Sequence, residues 1–287
     1  MKNHMKSLAG RLSLPPAAAV KPGKPLLAVL CLAALSLTNC AQQTDEVSVS
    51  LVREDGSSET RRYPKETTRL DLANRGLAGL TLSKGWTNLK TLNLEGNQLT
   101  SLTLPEGSVS LRMLNLENNR LESLTLPEGM TSLERLNLEN NRLESLTLPE
   151  GMTSLKTLNL EDNRLTGLTL PEDMTSLWWL HLAGNQLTSL TLPESMTRLL
   201  GLYLENNQLT SLTLPENWTR LEWLNLAGNQ LTSLTLPEGM TSLWWLGLWD
   251  NPFEELRAPR DFNLSGFFKD SGTVTYYDSA PAPPPTD

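Results

Sequence analysis

One spacing governs most of this chain: a Leu-x-Leu pair that returns every 22 residues. It occurs at Leu70/Leu72, Leu92/Leu94, Leu114/Leu116, Leu136/Leu138, Leu158/Leu160, Leu180/Leu182, Leu202/Leu204, Leu224/Leu226 and Leu246/Leu248 without a slip. A constant period of this length marks a solenoid, in which each unit buries its apolar side against its neighbours rather than in one globular centre. One full unit, Leu133 to Ser154, reads LERLNLENNRLESLTLPEGMTS. In Leu-Asn-Leu the alternation of an extended strand buries both leucines and turns the middle residue outward.

Asn97, Asn119, Asn141, Asn163, Asn185, Asn207, Asn229 and Asn251 then follow at one position per coil. Stacked inside, their amides can satisfy backbone groups where the chain leaves the strand, which is a structural role. The second half of each unit, Ser-Leu-Thr-Leu-Pro-Glu-Gly, alternates again. Leu102, Leu104 and their equivalents point inward, and Thr103, Thr125, Thr147 and their equivalents point outward. Proline ends that strand because it has no N–H to give the next coil. The expected fold is mainly β, with about nine 22-residue coils, two short strands in each and very little helix.

The pattern L-x-x-L-x-L-x-x-N-x-L in the first half of each unit resembles the leucine-rich-repeat signature. Two L-x-x-L-x-L blocks per unit resemble the bacterial class of that family. The resemblance covers residues 67–256, two thirds of the chain. It implies a curved solenoid whose concave, strand-bearing face binds other proteins. End coils expose apolar edges, so both termini need caps. Residues 40–66 supply an N-terminal linker and cap, with 47–63 alternating around Asp55-Gly56 as a hairpin. Residues 257–287 supply a C-terminal cap and a Pro-rich tail expected to lack order.

Residues 1–39 read as a signal peptide. Lys2, Lys6, Arg11, Lys21 and Lys24 precede an apolar run from Leu26 to Leu37. Those twelve residues suit a leader core but fall short of the ~20 that a membrane-spanning helix needs. Leu37-Thr38-Asn39-Cys40 resembles the lipobox of bacterial lipoproteins, although Asn39 stands where most members carry Gly, Ala or Ser. The resemblance implies a mature chain that begins at Cys40 and is anchored in a membrane by acyl chains on it. A plain secretory leader with an incidental cysteine is the other reading. Cys31 and Cys40 are the only cysteines, so the body has neither a disulfide framework nor a cysteine metal site.

Without residues 1–39 the chain has 19 basic and 32 acidic residues, a net charge of −13. Such a surface repels nucleic acid, which clustered Lys and Arg would be needed to bind. No cofactor is implied. Beyond His181 the mature chain has no histidine, and no constellation of catalytic residues is visible, so an enzyme is not expected. The carboxylates of successive coils, such as Glu117 and Glu139, read as a regular ladder open to solvent with nothing to perturb them. An Asn/Glu ladder offers oxygens to calcium, but the sequence assigns no metal site.

Departures from the repeat carry the functional signal. Three positions per coil face the concave side: before, between and after the strand leucines. Early coils place Thr91-Asn93-Glu95, Met113-Asn115-Glu117, Arg135-Asn137-Glu139 and Thr157-Asn159-Glu161 there. From the sixth coil the triplets become Trp179-His181-Ala183, Gly201-Tyr203-Glu205, Trp223-Asn225-Ala227 and Trp245-Gly247-Trp249. Trp178 and Trp244 stand one place earlier, while Trp86 and Trp218 occupy a turn position and read as packing. An exposed aromatic cluster marks an interface, unless the C-terminal segment covers it.

The candidate binding residues are Trp179, His181, Tyr203, Glu205, Trp223, Asn225, Trp245 and Trp249. Two partners suit them: a protein, selected as basic by the acidic ladder, or a glycan stacked on the rings. A structural role in the cell envelope is the third reading.

Overall fold

The structure is a computed structural model that describes residues 46–260, 262, 267–268 and 273–277. The leader, Cys40 and the Pro-rich tail lie outside the described residues. Nine three-residue strands pair in parallel: Arg69–Asp71, Thr91–Asn93, Met113–Asn115, Arg135–Asn137, Thr157–Asn159, Trp179–His181, Gly201–Tyr203, Trp223–Asn225 and Trp245–Gly247. We number coils 1 to 9 by these strands. Each strand residue faces its counterpart 22 positions on, as Leu158 faces Leu136 and Leu180. Phe267–Phe268 adds a tenth rung against Leu246 and Gly247. The result is a leucine-filled β-solenoid without an α-helix among the described residues.

The Leu-x-Leu pairs form two dry columns of the interior, and from coil 2 to coil 8 they are fully buried. Each leucine contributes about 1.5–3 kcal/mol relative to an exposed side chain. Beside them runs the asparagine ladder. The Asn141 amide donates to the carbonyls of Leu116, Leu138 and Glu139 at 2.9–3.2 Å, and its Oδ1 accepts from the Leu121 N–H at 2.9 Å. One side chain thus satisfies groups on two coils where the backbone turns away from the sheet.

The turn before each ladder position requires positive φ. Asn74, Gly96, Asn118, Asn140, Asp162, Gly184, Asn206, Gly228 and Asp250 fill it, with φ between 51° and 66°. Only glycine, asparagine and aspartate enter that region cheaply.

The second leucine block behaves differently from the expected second strand. Ser101–Thr103 pairs with Ser123–Thr125 near one end, and Ser233–Thr235 with Glu255–Pro259 and then Thr273–Tyr277 near the other. In coils 4 to 7 the equivalent segments are not paired as strands. Their leucines still point inward, with Leu190 and Leu212 each 9% exposed, and their threonines point out. Coils pinned at strand spacing on one side and unpinned on the other must splay on the unpinned side. Grooves open there, one of about 760 Å³ between Ser211–Glu216 and Ser233–Glu238, with Arg257 at its edge.

At the N-terminal end, Glu46–Arg53 and Ser58–Pro64 form an antiparallel hairpin that turns at Asp55-Gly56. Its first strand pairs antiparallel with Leu77–Leu82 of coil 1 and buries Val47, Val49 and Leu51 over that coil. Trp86 is buried there, and its Nε1 donates to the Ser48 carbonyl. At the other end, Glu255–Pro259, Phe267–Phe268 and Thr273–Tyr277 extend the two sheets edge-on.

Candidate functional site

The ten-stranded sheet presents one face to solvent, and its two halves differ. In coils 2 to 5 the outward Asn of each strand works in two directions. Asn137 Oδ1 accepts from the backbone N–H of Glu139 at 3.1 Å, and its amide donates to Glu117 of the previous coil at 3.0 Å. Asn115 and Asn159 repeat this with Glu95 and Glu139. Along the opposite margin Lys156 and Arg112 both reach Glu134, at 2.7 and 3.3 Å. Half of the sheet face is therefore a polar surface whose groups largely satisfy one another.

In coils 6 to 9 rings replace that network. Tyr203 stacks on His181, 4.6 Å away with planes 5° apart, and stands 6.3 Å from Trp179 with planes 24° apart. Trp223 meets Trp244 edge-on at 4.1 Å and Trp245 at 5.9 Å, and Trp245 meets Trp249 edge-on at 5.7 Å. So the face holds a flat stack followed by an interlocked tryptophan cluster. Trp178 and Trp244 are 39% and 47% exposed, while Trp179, Trp223, Trp245 and Trp249 are half-buried. Lys156 Nζ stands 5.7 Å from the Trp178 ring and joins the two halves.

All eight candidate residues sit on these four coils, but not in equal condition. Asn225 is buried; its Oδ1 accepts from the Ala227 N–H, and its side chain hydrogen-bonds Glu205. Sequence reasoning gave no role to Gly201 and Gly247. A Cβ on Gly201 would stand 2.5 Å from the Trp179 ring, and one on Gly247 2.6 Å from the Trp249 ring. Both glycines let rings lie against the sheet. For Gly247 the signal available was a glycine inside a strand between Trp245 and Trp249, which marks close approach.

The carboxylates are not the unperturbed ladder expected from the sequence. Burial, then the charges of Glu139 and Glu95, push the Glu117 carboxyl above its ordinary range, against hydrogen bonds from Asn137 and Asn118. Burial also raises Glu161, with further push from Glu139, Asp162 and Glu205 and no hydrogen bond to offset it. Glu205 rises through burial as well, partly countered by hydrogen bonds from its own backbone and Asn225. Burial lowers His181 and keeps it neutral near pH 7. Among the described residues no three His, Cys, Asp or Glu side chains come together as a metal site would require. Among them, too, no helix is long and apolar enough to cross a membrane.

Family models described as leucine-rich repeats match residues 88–108, 109–150, 131–187 and 220–243. With the 22-residue coil, the Asn ladder and the parallel sheet in place, these matches decide the fold. The chain is a leucine-rich-repeat solenoid.

Among solved leucine-rich-repeat structures, YopM, a leucine-rich effector protein from Yersinia pestis, is 28% identical with a TM-score of 0.54. That match covers 66% of this chain and 51% of YopM. The functional domain of InlJ from Listeria monocytogenes is 22% identical, with a TM-score of 0.48 over 71% of this chain and 53% of that one. The chain spans about half the length of these solved structures. No curated protein matches it in sequence.

Proposed function

We propose that this leucine-rich-repeat chain is an exported binding module that holds a protein partner against its sheet face, with coils 6 to 9 as the contact. Leucine-rich repeats typically serve protein–protein interaction. The observation that carries the reading is the ring surface running from Trp178 to Trp249, with its two most exposed tryptophans at 39% and 47%. Large rings on a rigid sheet lose little entropy on binding and supply the anchors of protein interfaces. The acidic half beside them favours a partner with basic side chains.

The test is binding of proteins selected against the full chain. Trp223→Ala/Trp245→Ala should abolish it while the solenoid stays folded. Undiminished binding by that variant would refute the assignment. The flat Trp179–Tyr203–His181 stack also suits a sugar ring, so an immobilised glycan array run beside the selection, with glycans alone retained, would reverse the order of the two readings.

We further read Cys40 as an acylated anchor, on the Leu37-to-Cys40 pattern. Labelled palmitate in a bacterial host should enter the wild-type chain and not Cys40→Ala, and label in the variant would refute the anchor.

A further inference from the structure

Coil 6 breaks the acidic row in two ways at once. The row after the strands runs Glu95, Glu117, Glu139, Glu161, then Ala183, then Glu205. Ala183 ends at its Cβ, so the row of long side chains has a notch one member wide between two glutamates whose backbones stand two coils, about 10 Å, apart. In the same coil His181 occupies the position from which an asparagine would donate to Glu161. Glu161 consequently receives no side-chain hydrogen bond among the described residues, whereas Glu95, Glu117 and Glu139 each receive one from the strand asparagine of the next coil. Across the notch, Glu205 Oε2 is enclosed and has no partner there either. The row beside it carries His181 and Tyr203 with parallel rings, continued by Trp179.

These features select a ligand by chemistry. Glu161, which has no donor, and Glu205, which accepts from Asn225 but leaves Oε2 without a partner, call for a cation with several N–H groups, because enclosed acceptors without donors carry a desolvation cost that such a cation relieves. A flat ring stack calls for a planar group. A guanidinium satisfies both: it is always charged, presents five donors in a plane and stacks on aromatic faces. An ammonium supplies charge without the plane, and a neutral sugar supplies donors without the charge. Burial raises both Glu161 and Glu205, and the charge of Glu205 adds to the rise at Glu161, which fits a pair awaiting a counter-charge.

We propose that the notch over Ala183, between Glu161 and Glu205 and beside the His181–Tyr203 stack, is a subsite for an arginine side chain of the protein partner. This rests on the reading of the sheet face as a protein-binding surface and names the side chain that it takes.

The test is a tryptophan-fluorescence titration of the full chain with Nα-acetyl-arginine methylamide and with its citrulline analogue, which keeps the plane and loses the charge. Saturable binding of the arginine compound is expected, weakened at least about tenfold for citrulline, the factor for one charge-assisted hydrogen bond. Ala183→Glu refills the notch with the residue its neighbours carry and should weaken binding by a similar factor. Glu161→Gln gives the same answer should Ala183→Glu fail to fold. Equal responses to the two compounds, no saturable response, or undiminished binding by the folded variant would overturn the subsite. Protein partners that depend on Trp223 and Trp245 but tolerate a filled notch would overturn the subsite alone and leave the protein-binding reading standing.

Discussion

Coils 2 to 5 and coils 6 to 9 share one interior and differ in one surface. Inside, Asn141 and Asn207 make the same bonds to the same kinds of carbonyl, at distances that agree within about 0.1 Å. Outside, the early coils repeat an Asn-to-Glu clamp that closes on itself. The late coils keep one such clamp, from Asn225 to Glu205, and otherwise replace it with rings, two glycines that make room for them and carboxylates left short of donors. A repeat protein keeps its fold by obeying its pattern inside, so what it does is written where the pattern is broken outside. That contrast predicts where substitutions should matter equally and where they should not.

The largest effect should be blind to the halves. Asn141→Ala and Asn207→Ala each strip buried backbone groups of several partners, and each should cost about 3 kcal/mol or more in urea denaturation. A much milder loss at Asn207 would mean that the late coils are held together differently, and the shared-interior half of the comparison would fall.

The next effect should separate the halves. Gly201→Val puts a side chain where the Trp179 ring lies and should cost about 1–2 kcal/mol through crowding. Thr157→Val, at the same strand position two coils earlier, should change stability by no more than about 0.5 kcal/mol. Equal losses would show that the rings are not seated as described.

Much of this was legible from residues alone, because a 22-residue period assigns every side chain a direction. The leucine pairs gave one strand per coil with both leucines buried, Asn97 and its equivalents gave the ladder, and Trp86 and Trp218 read correctly as packing. The second leucine block was over-read. Its alternation tells which side chains are buried, but not whether neighbouring coils lie close enough to pair, and in coils 4 to 7 they do not pair.

The site was legible as a list of positions and not as an arrangement. Nothing in Trp-Leu-Gly-Leu-Trp says that Gly247 yields space to two rings. The carboxylates were misjudged for a related reason: Glu117 looks open in a repeat diagram, but in the structure it lies between Glu95 and Glu139 and is partly buried. Burial of a long side chain depends on its neighbours across coils, which spacing along the chain does not give.

The smallest effect is electrostatic and should take opposite signs at two glutamates. The raised Glu161 carboxyl is ionised at pH 7 at a cost to the folded state, so Glu161→Gln should raise the melting temperature there. That gain should vanish as pH falls below the ordinary carboxylate range, where the wild-type group is protonated in both states. It amounts to no more than about 1 kcal/mol once solvent screening is allowed for. Glu134 is lowered, chiefly by its hydrogen bond from Lys156, so its contribution is present above the ordinary range and lost as pH falls through its depressed value. Glu134→Gln should therefore lower the melting temperature at pH 7. Like signs at the two positions would break this part of the comparison.

The claim that the late coils carry the function can be tested by exchanging the faces. One variant gives them early-coil residues: Trp179→Thr, His181→Asn, Tyr203→Asn, Trp223→Thr, Trp245→Thr and Trp249→Glu. A second removes the early surface instead, with Arg135→Ala, Asn137→Ala and Thr157→Ala. Protein partners selected on the wild-type chain are then measured against both by surface plasmon resonance, with circular dichroism confirming the β fold of each. The account predicts that the first variant loses partner binding and the second retains most of it. Partners that still bind the first variant and are lost by the second would contradict it.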